Sequence, residues 1–412
     1  MNHPLPHSHV SQRATASRRA LRIALVTESY SPEINGVANT VARVVEGLRT
    51  REHLVQLVRP RQGRMDTGKD NPGIEEVLTG GMPIPMYGRL RLGFPSGPLL
   101  TRRWSEQRPD VVHIATEGPL GWSALQVASR LKLPVCSDFR TNFHAYSRFY
   151  GAAWLQRPIM AYLRGFHNRC HFTMVPTDAL RRQLATEGFS PLSVVARGVD
   201  TELFAPCKRS AALRAEWGVA DNAVVALYVG RVAAEKNLAV LLQAYQRLRL
   251  HQPRATLVIV GDGPARKALQ AQCPEAVFTG FRTGEDLAAC YASSDLFLFP
   301  SLTETFGNVT IEAMASGLPL LAFNDAAAGQ LVTHDLNGLL APPPDPAEFC
   351  RLATELGCNP GLRQRLGREA RQKALQLGWD NIVQRIEDLY AASIAKAHAS
   401  TLPRVWAGVR PT

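Results

Sequence analysis

The sequence predicts an α/β protein built as two Rossmann-like, doubly wound domains facing each other across a cleft. Three observations lead there. The chain has 412 residues, enough for two or three domains. Its first half repeats a short apolar, β-rich run, a loop and an amphipathic helix-like stretch. The same pattern then restarts after a break between Gly198 and Lys208.

Residues 1–20 lack an apolar core and read as a disordered basic arm rather than a signal peptide. The N-terminal domain, 21–198, opens with the strand L-R-I-A-L-V-T-E, a loop from Ser31 to Gly36 and the helix V-A-N-T-V-A-R-V-V-E-G-L. Strand candidates H-L-V-Q-L-V, D-V-V-H-I-A-T, L-P-V-C-S-D-F and H-F-T-M-V-P-T follow, with helices near W-S-A-L-Q-V-A-S-R-L and from Asp178. Residues 199–208 form a linker. In the C-terminal domain, 209–380, the strands are A-V-V-A-L-Y-V-G-R, A-T-L-V-I-V-G, A-V-F-T-G-F, D-L-F-L-F-P-S and L-P-L-L-A-F. Residues 381–400 have helical periodicity and are expected to pack back toward the N-terminal domain, and 401–412 form a loose tail. Ligands of open α/β sheets bind outside the carboxyl ends of the strands, so the cleft is where a site is expected.

The composition is globular, 45% hydrophobic and 20% charged, and no apolar run approaches the ~20 residues of a membrane span. Seven cysteines without a C-x-x-C pair read as reduced thiols, which fits the cytoplasm. The net charge of +12 lies in the arginine-rich first half. Such a field suits an anionic membrane surface or an acidic acceptor. Nucleic acid is not expected, because the basic half carries no RNA-binding motif or helix-turn-helix. No G-x-G-x-x-G follows a strand, which argues against a dinucleotide-dependent oxidoreductase, and no G-x4-G-K-[ST] marks a nucleotide-hydrolysing loop. Without a D-x-D triplet, an H-E-x-x-H or clustered Cys and His, no metal site is expected.

The richest segment is E-T-F-G-N-V-T-I-E-A-M-A-S-G-L-P, after the buried-strand signal L-F-L-F-P-S. Glu304 stands at a loop and Glu312 inside the following helix, about two turns on. The first suits sugar hydroxyls, the second a ribose diol, and the amides of Gly307, Asn308 and Val309 at the helix start suit a diphosphate. Arg231 and Lys236, five apart at a strand-to-helix turn, are placed to converge on that diphosphate and neutralise its developing charge. Gly263, in G-D-G-P, permits close approach of backbone to ligand, and Phe281 ends another strand where a base could be read. In the first half, Gly36 lies at the first strand-to-helix junction. The run Asp138 to Tyr146, with Arg140 and His144, is a sugar-contact or acceptor loop, and Glu117 is a further cleft candidate.

With T-E-S-Y-S-P-E-I-N-G-V-A-N-T, H-I-A-T-E-G-P-L-G, R-T-N-F-H-A-Y-S-R-F-Y, A-R-G-V-D-T-E-L-F-A-P, Y-V-G-R-V-A-A-E-K-N and the Glu304–Glu312 segment, the chain resembles the family 4 retaining glycosyltransferases of GT-B fold. Within them it looks most like the GDP-mannose-dependent α-mannosyltransferase group. The resemblance implies that Arg231 and Lys236 bind the donor diphosphate, Glu312 the nucleotide ribose and Glu304 the sugar. It also implies that Gly36 faces the diphosphate and that no metal is required. The family usually has a histidine before the Thr-Asn-Phe triplet. This chain has Arg140 there, so either His144 takes that role or Arg140 reads a different sugar or an anionic acceptor. The function implied is transfer of a hexose from GDP-mannose, or from UDP-glucose or UDP-glucuronate, to a lipid or glycolipid hydroxyl, in the cytoplasm or peripherally at its membrane. The stretch W-L-Q-R-P-I-M-A-Y-L-R-G-F-H-N-R mixes aromatics and arginines as an interfacial helix would. A nucleotide-sugar epimerase and a non-catalytic nucleotide-sugar sensor are the rival readings.

Overall fold

The computed structural model describes residues 19–30, 33, 36–63, 65–68, 71–84, 87–140, 156–220, 222–304 and 306–401. The basic arm up to residue 18, the tail from 402, Asn35 and His144 lie outside the described residues.

Two parallel sheets form the frame. The first carries seven strands: β1 (Arg22–Val26), β2 (Leu54–Pro60), β3 (Ile74–Thr79), β6 (Val111–Ile114), β7 (Val135–Asp138), β8 (Phe172–Val175) and β9 (Leu192–Val194), in the order 3-2-1-6-7-8-9. Between β3 and β6 an antiparallel pair, β4 (Gly81–Ile84) and β5 (Tyr87–Gly93), stands apart. The second sheet has β10 (Val225–Val229), β11 (Thr256–Val260), β12 (Val277–Gly280), β13 (Leu296–Phe299), β14 (Leu320–Phe323) and β15 (Leu339–Ala341), in the order 12-11-10-13-14-15. Both run outward from their first strand in two directions, the doubly wound order. The switch points therefore fall beside β1 and β10, and loops leaving those strands border the cleft.

The central strands are apolar along their length because helices cover both faces of each sheet. V-A-L-Y-V of β10 and L-F-L-F of β13 are buried throughout. The helix Gly36–Thr50 buries Val41, Val44, Val45 and Leu48 at i, i+3, i+4, i+7 spacing against one face of the first sheet. The same core takes Ile382, Val383, Ile386 and Tyr390 from the helix Trp379–Thr401, which thus belongs to the N-terminal layer. It is pinned there by polar contacts as well. Glu387 accepts from Arg51 at 2.8 Å and from His53 Nε2 at 2.7 Å, and His53 Nδ1 accepts from the Leu21 amide at 3.0 Å. That last bond leaves the His53 proton on Nε2, facing the carboxylate.

The chain crosses between the layers twice, and the crossings lie together. The Val199 amide donates to the Leu377 carbonyl at 3.0 Å, and a Cβ on Gly198 would meet the Trp379 ring at 2.6 Å. A third contact spans the layers: the Asp178 amide, opening the helix Asp178–Thr186, donates to Gln330 Oε1 at 2.9 Å.

Candidate active site

β10 ends at Val229, and the chain turns through Gly230 and Arg231 into a single 3-10 turn, Ala234–Lys236. The G-D-G-P turn after β11 packs on it. The Val232 amide donates to the Asp262 carbonyl at 3.0 Å, and the Ala265 amide donates to the Val232 carbonyl at 3.0 Å. A Cβ on Gly263 would lie 2.3 Å from the Val232 oxygen, so this glycine is required for packing the turn that carries Arg231. Gly263 was expected to approach the ligand; the neighbour it approaches is backbone.

Arg231 pairs with Glu235 four residues on. Lys236 is 7% exposed, and its ammonium donates to Glu304 Oε1 at 2.5 Å. Ser301 Oγ donates to the same oxygen at 3.0 Å, and Thr303 Oγ1 donates to the Glu235 carbonyl at 3.0 Å. The loop after β13 is therefore tied to the turn after β10. The two cations expected to converge on one anion each hold a carboxylate of their own.

Glu304 is followed by Gly307, whose φ of +92° sets the entry to the helix Asn308–Ala315. Among the described residues no side chain caps that helix; the Thr310 amide donates to the Gly307 carbonyl at 3.0 Å, and the Asn308 and Val309 amides stand uncapped at the positive end of its dipole. The side chain of Val309, partly buried, packs against the core. Across the cleft lies Gly36, the first residue of its own helix. A Cβ built there would be 3.6 Å from Asn308 Nδ2. Two helix starts from the two layers thus face each other, with a glycine on one side.

One turn further on, Glu312 accepts from Tyr291 Oη at 2.9 Å, and Tyr291 is fully buried. Burial pushes the Glu312 carboxyl up to about 7, against the opposing effect of the Tyr291 hydrogen bond. Phe281, just past β12, is 54% exposed.

The N-terminal wall is built at the ends of β7, β8 and β9. Asp138, the last residue of β7, accepts on Oδ2 from His113 Nε2 at 2.8 Å and from Arg140 Nε at 2.7 Å, with Arg140 Nη2 as a third partner. His113 Nδ1 lies 2.6 Å from Tyr390 Oη. Arg140 is thus held at the wall by a carboxylate. Glu117 instead reaches inward: its carboxylate lies 3.4 Å from His167 Nε2, both buried. Glu28, next to β1, accepts from the Leu120 amide at 2.9 Å. Burial raises it to about 7, with Glu117 adding to the rise and backbone hydrogen bonds opposing it. Arg197, three residues beyond β9, also lines the wall; the sequence reading passed over it although it stands in the quoted A-R-G-V-D.

A glycine-faced cleft between two doubly wound layers, with cations, carboxylates and an uncapped helix start on one wall, is the arrangement of a GT-B glycosyltransferase. The comparisons agree. Residues 34–203 match the model described as Glycosyltransferase Family 4, and residues 210–373 that of Glycosyl transferases group 1. The chain is 33% identical over 380 residues to a GDP-mannose-dependent alpha-mannosyltransferase of Corynebacterium glutamicum, covering 92% of this chain and 90% of that one. It is 34% identical over 377 residues to the protein of the same name from Mycobacterium tuberculosis, covering 90% and 97%. The sulfoquinovosyl transferase SQD2 of Arabidopsis thaliana is 29% identical over 385 residues, covering 90% and 74%. Among solved structures, a sucrose-phosphate synthase from Thermosynechococcus elongatus superposes with a TM-score of 0.75 at 19% identity, covering 91% of this chain and 100% of that one. HepE of Anabaena in complex with UDP and glucose gives 0.72 at 20%, covering 90% and 100%. The chain belongs to glycosyltransferase family 4 and is a glycosyltransferase, similar along most of its length to the GDP-mannose-dependent α-mannosyltransferases.

Proposed function

We propose that this enzyme moves a hexose from GDP-mannose to a hydroxyl of a lipid or glycolipid acceptor, with retention of configuration and without a metal ion. The observation that carries this is the contact of Lys236 with Glu304 beside the uncapped start of Asn308–Ala315, under Gly36. The first-turn amides, Arg231 and Lys236 meet the diphosphate, whose charge grows as the glycosidic bond breaks. Lys236 then exchanges Glu304 for phosphate, which frees Glu304 for the sugar hydroxyls. Glu312 accepts from the ribose diol. The acceptor hydroxyl attacks from the face the diphosphate leaves, and a diphosphate oxygen takes its proton, so no protein nucleophile is needed. Arg231 and Lys236 supply the cationic charge that a metal would otherwise bring, which supports the metal-independent reading.

The names of the mannosyltransferase relatives support GDP-mannose. The α-monoglucosyldiacylglycerol synthase of Streptococcus pneumoniae, 25% identical over 336 residues, supports a lipid acceptor by its name. Action at the inner face of the membrane is supported by the helix Gln156–His167, where Arg157, Tyr162 and Arg164 are exposed. Among the described residues no helix is long and apolar enough to cross a membrane.

Melting temperature with GDP-mannose, UDP-glucose, UDP-glucuronate, GDP and UDP, all in EDTA, tests the donor, because a ligand of the native state stabilises by mass action. Stabilisation by the guanine pair alone, followed by mannosylation of extracted lipids, is the expected result. Stabilisation by the uracil set moves the donor to a UDP-sugar, and no shift with any of the five rejects the reading.

A further inference from the structure

Arg140 and Arg197 line one partly open cavity of about 20 Å³, together with Thr40, Asp138, Val195 and Ile386. That is room for about one water-sized atom. Both arginines are more than nine-tenths buried, at 7% and 9% exposed. One carboxylate, Asp138, faces the pair, and its Oδ2 already takes His113 and both Nε and Nη2 of Arg140. Arg140 Nη1 is buried with no hydrogen-bond partner among the described residues. Among the described residues Arg197 interacts with Asp138 and Arg140 through charge alone, one attracting and one repelling. Burial and the Arg140 charge pull the Arg197 guanidinium down to about 9, with Asp138 opposing. Five donors on each planar group, one orphaned and buried, are costly unless an acceptor arrives.

The place suits a substrate. The cavity sits at the carboxyl ends of β7, β8 and β9, where open α/β sheets bind ligands. Thr40 lies one helical turn from Gly36, which faces Asn308 across the cleft.

We propose that Arg140 and Arg197 form an anion subsite on the N-terminal wall, taking one oxygen of a phosphate or acidic group carried by the acceptor or by the transferred sugar. This rests on the transferase reading and names a substrate class for it: one partner in the transfer is acidic. Asp138 orients Arg140 and tempers the charge; the substrate oxygen fills the remaining donors.

The test uses full-length protein and the variants Arg197→Gln and Arg197→Lys, read by melting temperature and titration calorimetry. One arm compares UDP-glucuronate with UDP-glucose. A second compares mixed micelles carrying phosphatidylglycerol with micelles carrying diacylglycerol. A third titrates inorganic phosphate, with UDP and GDP as nucleotide controls. The expected result is about tenfold or greater preference for the acidic member in one arm, from charge-assisted hydrogen bonds. The responding arm names the source. Arg197→Gln loses the preference, keeps the nucleotide response, and melts at or above the wild-type temperature without ligand, since an uncompensated buried charge is gone. Arg197→Lys retains part of the preference. Where Arg197→Gln does not fold, Arg140→Gln takes its place. The proposal is overturned if neither arm nor phosphate discriminates, or if the acidic preference survives in Arg197→Gln. Failure of the nucleotides alone to shift the melt would instead reject the donor reading, and phosphate would still report the subsite by itself.

Discussion

The two walls of the cleft balance charge in opposite ways. On the C-terminal wall each cation holds a counter-charge: Arg231 has Glu235, and Lys236 has Glu304. On the N-terminal wall two buried guanidiniums share one carboxylate that His113 also uses. The balanced wall is stable empty and binds by trading one partner for another. The unbalanced wall carries a desolvation cost while empty, which an incoming anion offsets. A wall whose cations are paired within it and a wall short of one carboxylate thus respond differently to an incoming anion.

The comparison breaks most visibly at the exchanging pair. Glu304→Ala, Arg231→Ala and Lys236→Ala should each lower turnover by about 100-fold or more, the usual loss for one group that stabilises developing charge. Near-wild-type turnover in all three would refute the site. A smaller effect concerns folding. Lys236→Met leaves Glu304 half-buried without its partner, and should destabilise the ligand-free protein by about 1–3 kcal/mol, below the full cost of breaking a buried pair because Glu304 is partly solvated. Denaturant unfolding measures this. A loss for Lys236→Met with none for Arg197→Gln is the asymmetry that the two walls demand, and equal losses would erase it.

The Glu312 carboxyl sharpens the donor side through pH. It titrates near 7 when folded and near 4.5 when unfolded. The folded state then binds more protons between those values, so this group's contribution to stability falls as pH rises from 4.5 to 7. Ribose hydroxyls favour the ionised form. Nucleotide affinity should therefore rise about tenfold from pH 6 to pH 8, with proton release at neutral pH, and Glu312→Gln should flatten the profile. A calorimetric titration showing no proton release at pH 7 would remove Glu312 from the ribose. The smallest expected change is in stability at Gly36: a methyl there meets Asn308 at an ordinary contact distance, so Gly36→Ala should shift stability by less than about 0.5 kcal/mol while impairing transfer.

Much of this was legible because strands buried on both faces read as unbroken apolar runs, as in A-L-Y-V of β10 and L-F-L-F of β13. β3, with I-E-E-V-L-T at a sheet edge, and the β4–β5 pair lacked that signal and went unseen. The Glu304 and Glu312 segment stood out because glycine, small residues and carboxylates share one loop-to-helix junction. The pairings did not: Lys236 was read as a phosphate ligand rather than a partner of Glu304, and Tyr291 was not read at all, since both reach their carboxylates only through packing across 68 and 21 residues. Arg197 was missed for a related reason: an arginine after a short strand looks solvated until a helix from the far end of the chain buries it.

That far helix has a consequence for synthesis. His53 meets Glu387 across 334 residues, and His113 meets Tyr390 across 277. The layer made first therefore cannot close its core until the helix Trp379–Thr401, which follows the second layer in the chain, has left the ribosome. The nascent N-terminal layer must be kept from aggregating until the second layer has been made, and loss of a few turns of that helix would injure the layer made first.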